Sequence, residues 1–279
     1  MSKIITLNIL NIPEASSSSE PWMIVPRPVI DWRSRCVSVE LNNVEQVREI
    51  EALNALQHAY LIKPLPEQVP HIRFKFIDND YAPDYWIWEL QDNRYTRASS
   101  ELGKLASELA ENCSTEREII HALITNAAEY FGYAHPDIRF NQGHDDVPML
   151  CGTTKGSCVD INTYLIAAAR SLGIKVQYMA GYWFHPERTE TLDMHCWLAF
   201  ECDSETVFWD LAHHLKWGVE ELAPGLNPAG GRRVPMTCGR GLQFDTPYGE
   251  ITISHFSEPL WVLPSEQCLK PDIRIGIAE

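Results

Sequence analysis

The 279-residue sequence lacks several features that would assign it to a class directly. It contains no apolar run approaching the ~20 residues of a membrane-spanning helix, and too few apolar residues follow Met1 for a secretory signal. It also lacks Cys-x-x-Cys pairs and the glycine-rich loops that bind dinucleotides or nucleotide phosphates. We therefore expect a cytoplasmic protein whose eight cysteines are reduced and which uses no organic cofactor.

Positive charge is also scarce. The chain has 38 acidic and 23 basic side chains, which gives a formal net charge of -15. Such a balance argues against a nucleic acid or an anionic membrane as the principal partner. The composition gives no indication of oligomeric state.

Two histidine-containing stretches were considered as metal sites. No matching Cys, Asp or Glu cluster follows His213-His214 at ligand spacing, and we interpret the pair as loop or groove residues. His144-Asp145-Asp146 lacks the calcium-loop pattern and is typical of a solvated acidic turn. No metal site is expected.

The most informative stretch is residues 156–173. Its apolar residues follow an i, i+3, i+4, i+7 pattern, which predicts a helix with one buried face. Ser157 and Asp160 match a capping box, so the helix should begin at Cys158, and Gly173 is placed to end it.

This prediction places Cys158 in the first helical turn, where free N–H groups and the helix dipole favour a thiolate. A buried cysteine on a helix is more often inert, so a nucleophile also needs a base and a group that orients the base. His195 and Asp210 are candidates for these two roles, because each lies in a short segment with strand-like composition. Cys151, seven residues before Cys158 in a predicted loop, is interpreted as a bystander, and a regulatory disulfide is the alternative.

Residues 1–96 are predicted to be mostly strand and turn, with one helix interrupting them at Val44 to Ile62. The predicted strands or extended segments are Ile4 to Ile12, Pro21 to Pro28, Arg35 to Leu41, Ile72 to Ile77 and Tyr85 to Leu90, with a loop at Ala15 to Glu20.

Residues 97–279 form the second predicted domain. We expect helices at Glu101 to Glu111 and Ser114 to Tyr130, a long loop at 132–155, a strand from Ile174 to Phe184, a turn at His185 to Arg188, a loop at 217–250 and one or two strands in Ile251 to Val262.

Several blocks of the sequence resemble the transglutaminase-like superfamily, in particular bacterial transglutaminase-like proteins assigned as cysteine proteases. The blocks, in the family's order, are Gly156 to Asp160 with Ala168 to Ile174 and Ala180 to Tyr182, then His195-Cys196-Trp197, then Trp209-Asp210. Their spacings, 195 − 158 = 37 and 210 − 195 = 15 residues, are usual for bacterial members. Weaker likeness covers Trp22 to Pro28, Arg73 to Leu90, Gly239 to Gly241 and Thr246 to Gly249.

The resemblance implies an α+β fold with a papain-like core, in which the nucleophile helix packs on an antiparallel sheet behind a small, mostly β N-terminal domain. It also implies a Cys158, His195, Asp210 triad that acts on a peptide or protein substrate through an acyl-enzyme. Two departures matter. Asp210 is followed by Leu211 rather than the family's Pro-Thr, and only Asn141 or Gln142 offers an oxyanion-hole side chain.

Three functions stay open from the sequence. The first is a cysteine peptidase or amidase, in which water releases the acyl group, and this is the favoured one. The second is an acyltransferase, in which an amine takes the place of water. The third is a non-catalytic interaction module on the same fold, against which the intact triad argues.

Overall fold

The computed structural model describes residues 2–13, 20–29, 34–78, 92–192, 194–225, 228, 230–264 and 268–279. The elements in these ranges are, in chain order, β1 (Ser2–Ile9), β2 (Trp22–Pro26), β3 (Ser34–Asn42), β4 (Val44–Glu51), β5 (His58–Pro64), β6 (His71–Asp78), α1 (Ser100–Ala110), α2 (Glu116–Tyr130), β7 (Phe131–Tyr133), β8 (Thr154–Gly156), α3 (Cys158–Ser171), β9 (Val176–Phe184), β10 (Glu190–Thr191), β11 (Met194–Cys202), β12 (Glu205–Trp209), α4 (Leu211–Trp217), β13 (Arg232–Cys238), β14 (Leu242–Thr246), β15 (Gly249–Ile253), β16 (Leu260–Val262), β17 (Cys268–Leu269) and β18 (Ile273–Ala278). The fold is α+β, as the sequence predicts.

The chain forms two units. The first comprises Met1–Glu89, Ala180–His195 and Gly231–Glu279, and the second comprises Leu90–Met179 and Cys196–Gly230. Strands β9 and β11 therefore contribute residues to both units. The predicted domains, 1–96 and 97–279, divide the chain at a single point and stay a prediction.

The first unit is built from antiparallel sheets. One has the strand order β10-β18-β1-β6-β3, another has the order β17-β16-β2-β5-β4, and β14 pairs with β15. Alternate residues of β1 and β6 enter a shared core, with Ile5 opposite Phe74 and Leu7 opposite Ile72. The alternation predicted for Ile72 to Ile77 is confirmed.

The helix predicted for Val44 to Ile62 is wrong. This segment is a hairpin of β4 and β5, in register from Val44 opposite Pro64 to Glu51 opposite His58. The side chains of Asn54 and Gln57 hold the turn, because they bond backbone groups far along the chain, at Gly241, Gln243 and Cys238. The helical spacing of apolar residues is a local pattern and carries no information about such distant contacts.

Other predictions for the first unit have mixed outcomes. The loop predicted for 217–250 is wrong over 232–246, where β13 and β14 lie, and a strand was missed at Ile273–Ala278. The strands expected in Ile251 to Val262 are confirmed as β15 and β16. The strand predicted for Tyr85 to Leu90 lies outside the described residues, as does the loop from Ala15 as far as Ser19.

The second unit contains all four described helices. Helix α1 begins one residue before the predicted Glu101 and is capped by Ser99, whereas α2 begins two residues after the predicted Ser114 and is capped by Thr115. The predicted loop at 132–155 is bounded by short strands, since β7 and β8 pair in parallel. Every helix among the described residues is too short or too polar to span a lipid bilayer.

Helix α3 lies at the centre of this unit and contacts the other three helices. It begins at Cys158 and ends in a Schellman motif, in which Gly173 has φ 75° and Ile174 N–H donates to the Ala169 carbonyl. The sequence predicts one buried face, but residues 160–169 are all buried, including Asn162. A helix enclosed on all sides holds its first residue firmly in place.

Candidate active site

The N-terminus of α3 is held by a network of polar side chains. Ser157 Oγ accepts from the Val159 N–H, and the Asp160 carboxylate accepts from the Ser157 N–H at 2.9 Å, which completes the predicted capping box. Arg139 joins this network, since its Nη1 lies 2.5 Å from Asp160 Oδ2 and 2.6 Å from Ser157 Oγ. Asp160 is 1% exposed, so its charge is compensated inside the protein.

Close packing fixes the residue before the cap. A Cβ atom on Gly156 would lie 2.8 Å from the Phe131 ring and 2.9 Å from the Asp160 Cβ. The Phe131 ring packs edge-on against Phe140 and Tyr164, and burial raises the pKa of the Tyr164 hydroxyl to about 12. Only glycine allows β8 to enter α3 this tightly.

The side chain of Cys158 meets that of Cys196 on β11. Both residues are buried, and their sulfurs are neighbours. The Cys196 sulfur also accepts from Asn162 Nδ2 at 3.4 Å. Burial raises the pKa of Cys196 well above its ordinary value, and the neighbouring Cys158 sulfur raises it further. Cys196 is therefore a neutral thiol at physiological pH.

His195 lies on β11 immediately before Cys196 and is buried. Adjacent Cα atoms along a strand are about 3.8 Å apart. Asn162, one turn along α3 from Cys158, donates to the Cys196 carbonyl at 3.0 Å. The backbone next to His195 is thus tied to the first two turns of α3.

Asp210 follows β12, whose Trp209 pairs with Leu198 on β11. The loop predicted after Asp210 is wrong, because Asp210 caps α4 by accepting from the His213 N–H at 3.2 Å. Its second oxygen lies 3.3 Å from His213 Nδ1. Helix α4 then ends at Gly218, whose φ of 63° suits glycine.

His213 and His214 are interpreted from the sequence as loop or groove residues. This interpretation is wrong, because both are buried within α4. His214 Nδ1 lies 2.8 Å from the Asp210 carbonyl, and the Nδ1–H tautomer donates to it. A histidine pair in a first helical turn is hidden from sequence reasoning when the helix itself is not expected.

The remaining candidates lie in the segment between β7 and β8. Asn141 is buried and Gln142 is exposed, both in the turn after Phe140. In the acidic turn, His144 and Asp145 are exposed, and Asp146 accepts from Arg97 at 2.6 Å. An oxyanion-hole role for Asn141 or Gln142 stays a prediction.

One surface group in the second unit has the spacing of metal ligands. Glu116, Cys202 and Asp203 offer ligand atoms within 4.8 Å of one another. However, Arg117 lies 3.3 Å from Asp203 and supplies a positive charge there already. The group therefore resembles a surface ion-pair network more than a metal site.

Sequence reasoning missed Cys196, Asn162 and Arg139 as parts of the site. Cys196 is the middle residue of the His195-Cys196-Trp197 block, and nothing in the sequence marks its side chain as part of the site. Asn162 could have been noticed as an amide within a helix of otherwise apolar character. Arg139 gave no signal, because it lies in a stretch without periodicity.

Comparison with known proteins gives a consistent assignment. A family model described as the transglutaminase-like superfamily matches residues 103–209. No curated protein matches the chain significantly. The matched segment includes Cys158 and His195 and ends one residue before Asp210.

Several solved structures are similar. A candidate cysteine protease from Cytophaga hutchinsonii matches 100% of this chain and 89% of its own, with a TM-score of 0.55 and 12% identity. The periplasmic domain of TgpA from Pseudomonas aeruginosa, bound to ethylmercury, matches 77% of this chain and 91% of its own, with a TM-score of 0.39 and 14% identity. A candidate protease from Parabacteroides distasonis covers 78% of this chain and 48% of its own, with a TM-score of 0.33 and 11% identity.

At these identities the structural likeness bears on fold alone, and only the Cytophaga hutchinsonii protein exceeds a TM-score of 0.5. That match spans the whole chain, so it covers the β-rich first unit as well as the helical second unit. The family model, the α+β architecture and the capped helix that begins at Cys158 agree with one another. Residues 103–209 of the chain thus match the model of the transglutaminase-like superfamily.

Proposed function

We propose that this protein is a thiol enzyme that hydrolyses an amide or peptide bond in a peptide or protein substrate. Cys158, His195 and Asp210 act as nucleophile, base and orienting carboxylate. The observation that carries the proposal is the position of Cys158. It is the first residue of a capped, enclosed helix, and its sulfur faces the strand that carries His195.

The helix start suits a nucleophile. The positive end of the dipole and the N–H groups of the first turn stabilise a thiolate. The same N–H groups can stabilise the oxyanion that forms when Cys158 Sγ attacks a carbonyl carbon. Because α3 is enclosed by the second unit, these groups need little reorganisation during the reaction.

The second step requires a proton for the leaving amine. In the proposal, His195 takes the thiol proton of Cys158 and gives it to the amine nitrogen as the C–N bond breaks. Asp210 fixes the imidazole tautomer. Two contacts support this assignment. Asn162 on α3 donates to the carbonyl of Cys196, the residue after His195, and β11 pairs with β12, which Asp210 follows.

Water then attacks the carbonyl carbon of the thioester on Cys158, and the carbon–sulfur bond breaks. His195 removes a proton from that water, and the carboxylic acid leaves as the thiol is restored. Water is the simplest acceptor, since no amine-binding motif is evident in the sequence.

The test is acyl-enzyme formation. The purified chain is mixed with activated aryl esters and a peptide-amide library, and intact-protein and peptide mass spectrometry locate the acyl group. We expect an acyl group on Cys158 that turns over. The Cys158→Ala protein should carry none, and in the His195→Ala protein formation should slow by at least about 100-fold. Cys151→Ala, at an exposed cysteine, is the matched control and should behave as wild type.

The same experiment separates the other functions. Added alkylamine that captures the acyl group faster than water would make the protein an acyltransferase. A wild-type protein that forms no acyl group with any ester or amide, and labels at Cys158 no faster than the Cys151 control site, would instead be a binding module.

A further inference from the structure

The Cys196 thiol is buried between two side chains of α3. Its sulfur lies 3.4 Å from Asn162 Nδ2 and is next to the Cys158 sulfur. The residue is 2% exposed, so water does not compete for these contacts. Neither the family blocks nor the proposed reaction gives this side chain a role.

The chemistry of the partners sets the direction of the hydrogen bonds. The Asn162 amide nitrogen can only donate, so the Cys196 sulfur accepts from it. When Cys158 is a thiolate, the only hydrogen left between the two sulfurs is the thiol hydrogen of Cys196. In that state Cys196 can act toward the Cys158 sulfur only as a donor.

The position of Asn162 is fixed independently. Its Nδ2 also donates to the Cys196 carbonyl at 3.0 Å, so its amide group cannot be turned over without losing that bond. Asn162 lies four residues after Cys158, on the same face of α3. The helix that carries the nucleophile thus also carries the group that holds Cys196 against it.

We propose that Cys196 is a positioning residue, whose thiol donates a hydrogen bond to the Cys158 sulfur and stabilises its thiolate form. The inference rests on the proposed function only in taking Cys158 as the reactive group. A neutral donor that is held by Asn162 keeps the thiolate oriented without adding a charge. A hydrogen bond to a charged acceptor is also stronger than one between neutral groups.

The test is the pH dependence of iodoacetamide labelling at Cys158, followed by mass spectrometry. In Cys196→Ala the labelling midpoint should rise by about one pH unit, which lowers the rate below the midpoint about tenfold. In Cys196→Ser a hydroxyl donor of similar size remains, and the midpoint should stay within about 0.3 unit of wild type. Cys202→Ala removes a buried cysteine six residues along the same strand and should leave the midpoint unchanged.

A midpoint that is the same in wild type and Cys196→Ala would overturn the inference, as would an equal rise in Cys196→Ser. Acyl-enzyme formation is measured on the same samples to separate the two proposals. If the midpoint shifts but no acyl group forms, the proposed function fails and the role of Cys196 stands. If acylation occurs and the midpoint does not move, only the role of Cys196 fails.

Discussion

Asn162 donates from one side-chain nitrogen to the backbone carbonyl of Cys196 at 3.0 Å and to its sulfur at 3.4 Å. Both residues are buried, so this amide links helix α3 to strand β11 where water does not reach. A buried carbonyl that loses its donor bears the full cost of desolvation.

Asn162→Leu keeps the number and branching of the side-chain heavy atoms but removes the donor. We expect the free energy of unfolding to fall by about 1–3 kcal/mol, because the Cys196 carbonyl is left unpaired. Urea unfolding measures this change. Asn112→Leu, at an exposed position, serves as the control and should change stability by less than about 0.5 kcal/mol. Equal effects of the two variants would contradict the structural role of Asn162.

Ser157→Ala removes the cap of α3 and should cost about 1 kcal/mol of stability. The matched variant is Ser99→Ala, which removes the cap of α1, where Ser99 accepts from the Leu102 N–H at 3.2 Å. Both variants should lower the urea midpoint, but only Ser157→Ala should slow the alkylation of Cys158. If Ser99→Ala slowed it equally, the effect would come from stability rather than from the local cap.

Gly156→Ala should destabilise the protein by about 1–3 kcal/mol, since the new methyl group meets the Phe131 ring at 2.8 Å. Gly152→Ala is the control, as a Cβ there has no heavy atom within 4 Å. Thermal unfolding of the two variants gives the comparison. A Gly152→Ala protein that melts as early as Gly156→Ala would show that the contact with Phe131 is unimportant.

Hydrogen peroxide should link Cys158 to Cys196. The peroxide oxygen transfers to the Cys158 thiolate and gives a sulfenic acid, with one oxygen reduced to water. The Cys196 thiol then attacks the sulfenic sulfur, which forms the disulfide and releases a second water. Peptide mapping without reductant should find this bond in wild type, and dithiothreitol should restore labelling at Cys158.

Cys196→Ser removes the second sulfur, so the sulfenic acid should accumulate or oxidise further in that variant. The exposed Cys151 should acquire no intramolecular bond. A Cys158–Cys151 bond in place of Cys158–Cys196 would contradict the arrangement of the two buried thiols.

Alkaline pH should expose the burial of Cys238. Burial raises the pKa of this thiol to about 12 in the folded protein, against about 8.5 in the unfolded chain. The folded state favours the neutral thiol of Cys238. The stability that this preference contributes is fully present below the pKa of the unfolded chain and is lost as the pH rises toward about 12. The free energy of unfolding should therefore decline above about pH 9, and less steeply in Cys238→Ala. Cys151→Ala should keep the wild-type slope, and a slope unchanged in Cys238→Ala would contradict the prediction.

The capped helix could be predicted because its signals are local. Ser157, Asp160 and Gly173 are close together in the chain and act on the same helix, so the start and end of α3 were readable. Strand β6 was predictable for the same reason, since alternation is visible within eight residues. In both elements the local preference and the tertiary packing agree.

Distant partners explain what the sequence hid. The β4–β5 hairpin was mistaken for a helix because Asn54 and Gln57 find their partners more than 180 residues away. The role proposed for Cys196 depends on Asn162, 34 residues earlier, and on which face of β11 meets α3. Helix α4 was missed because Asp210 was considered only as a catalytic group, although aspartate is also a favoured cap.

Asp210 accepts from the His213 N–H and caps α4, which gives this aspartate a structural function besides the proposed catalytic one. A homologue that has lost catalytic activity would still retain Asp210, because losing this cap would destabilise α4. Cys158 has no such protection, since the first position of a helix accepts most residues and its neighbours do the capping. When homologues of this protein are classified as active or inactive, the residue at position 158 is therefore informative, whereas an aspartate at position 210 does not indicate activity.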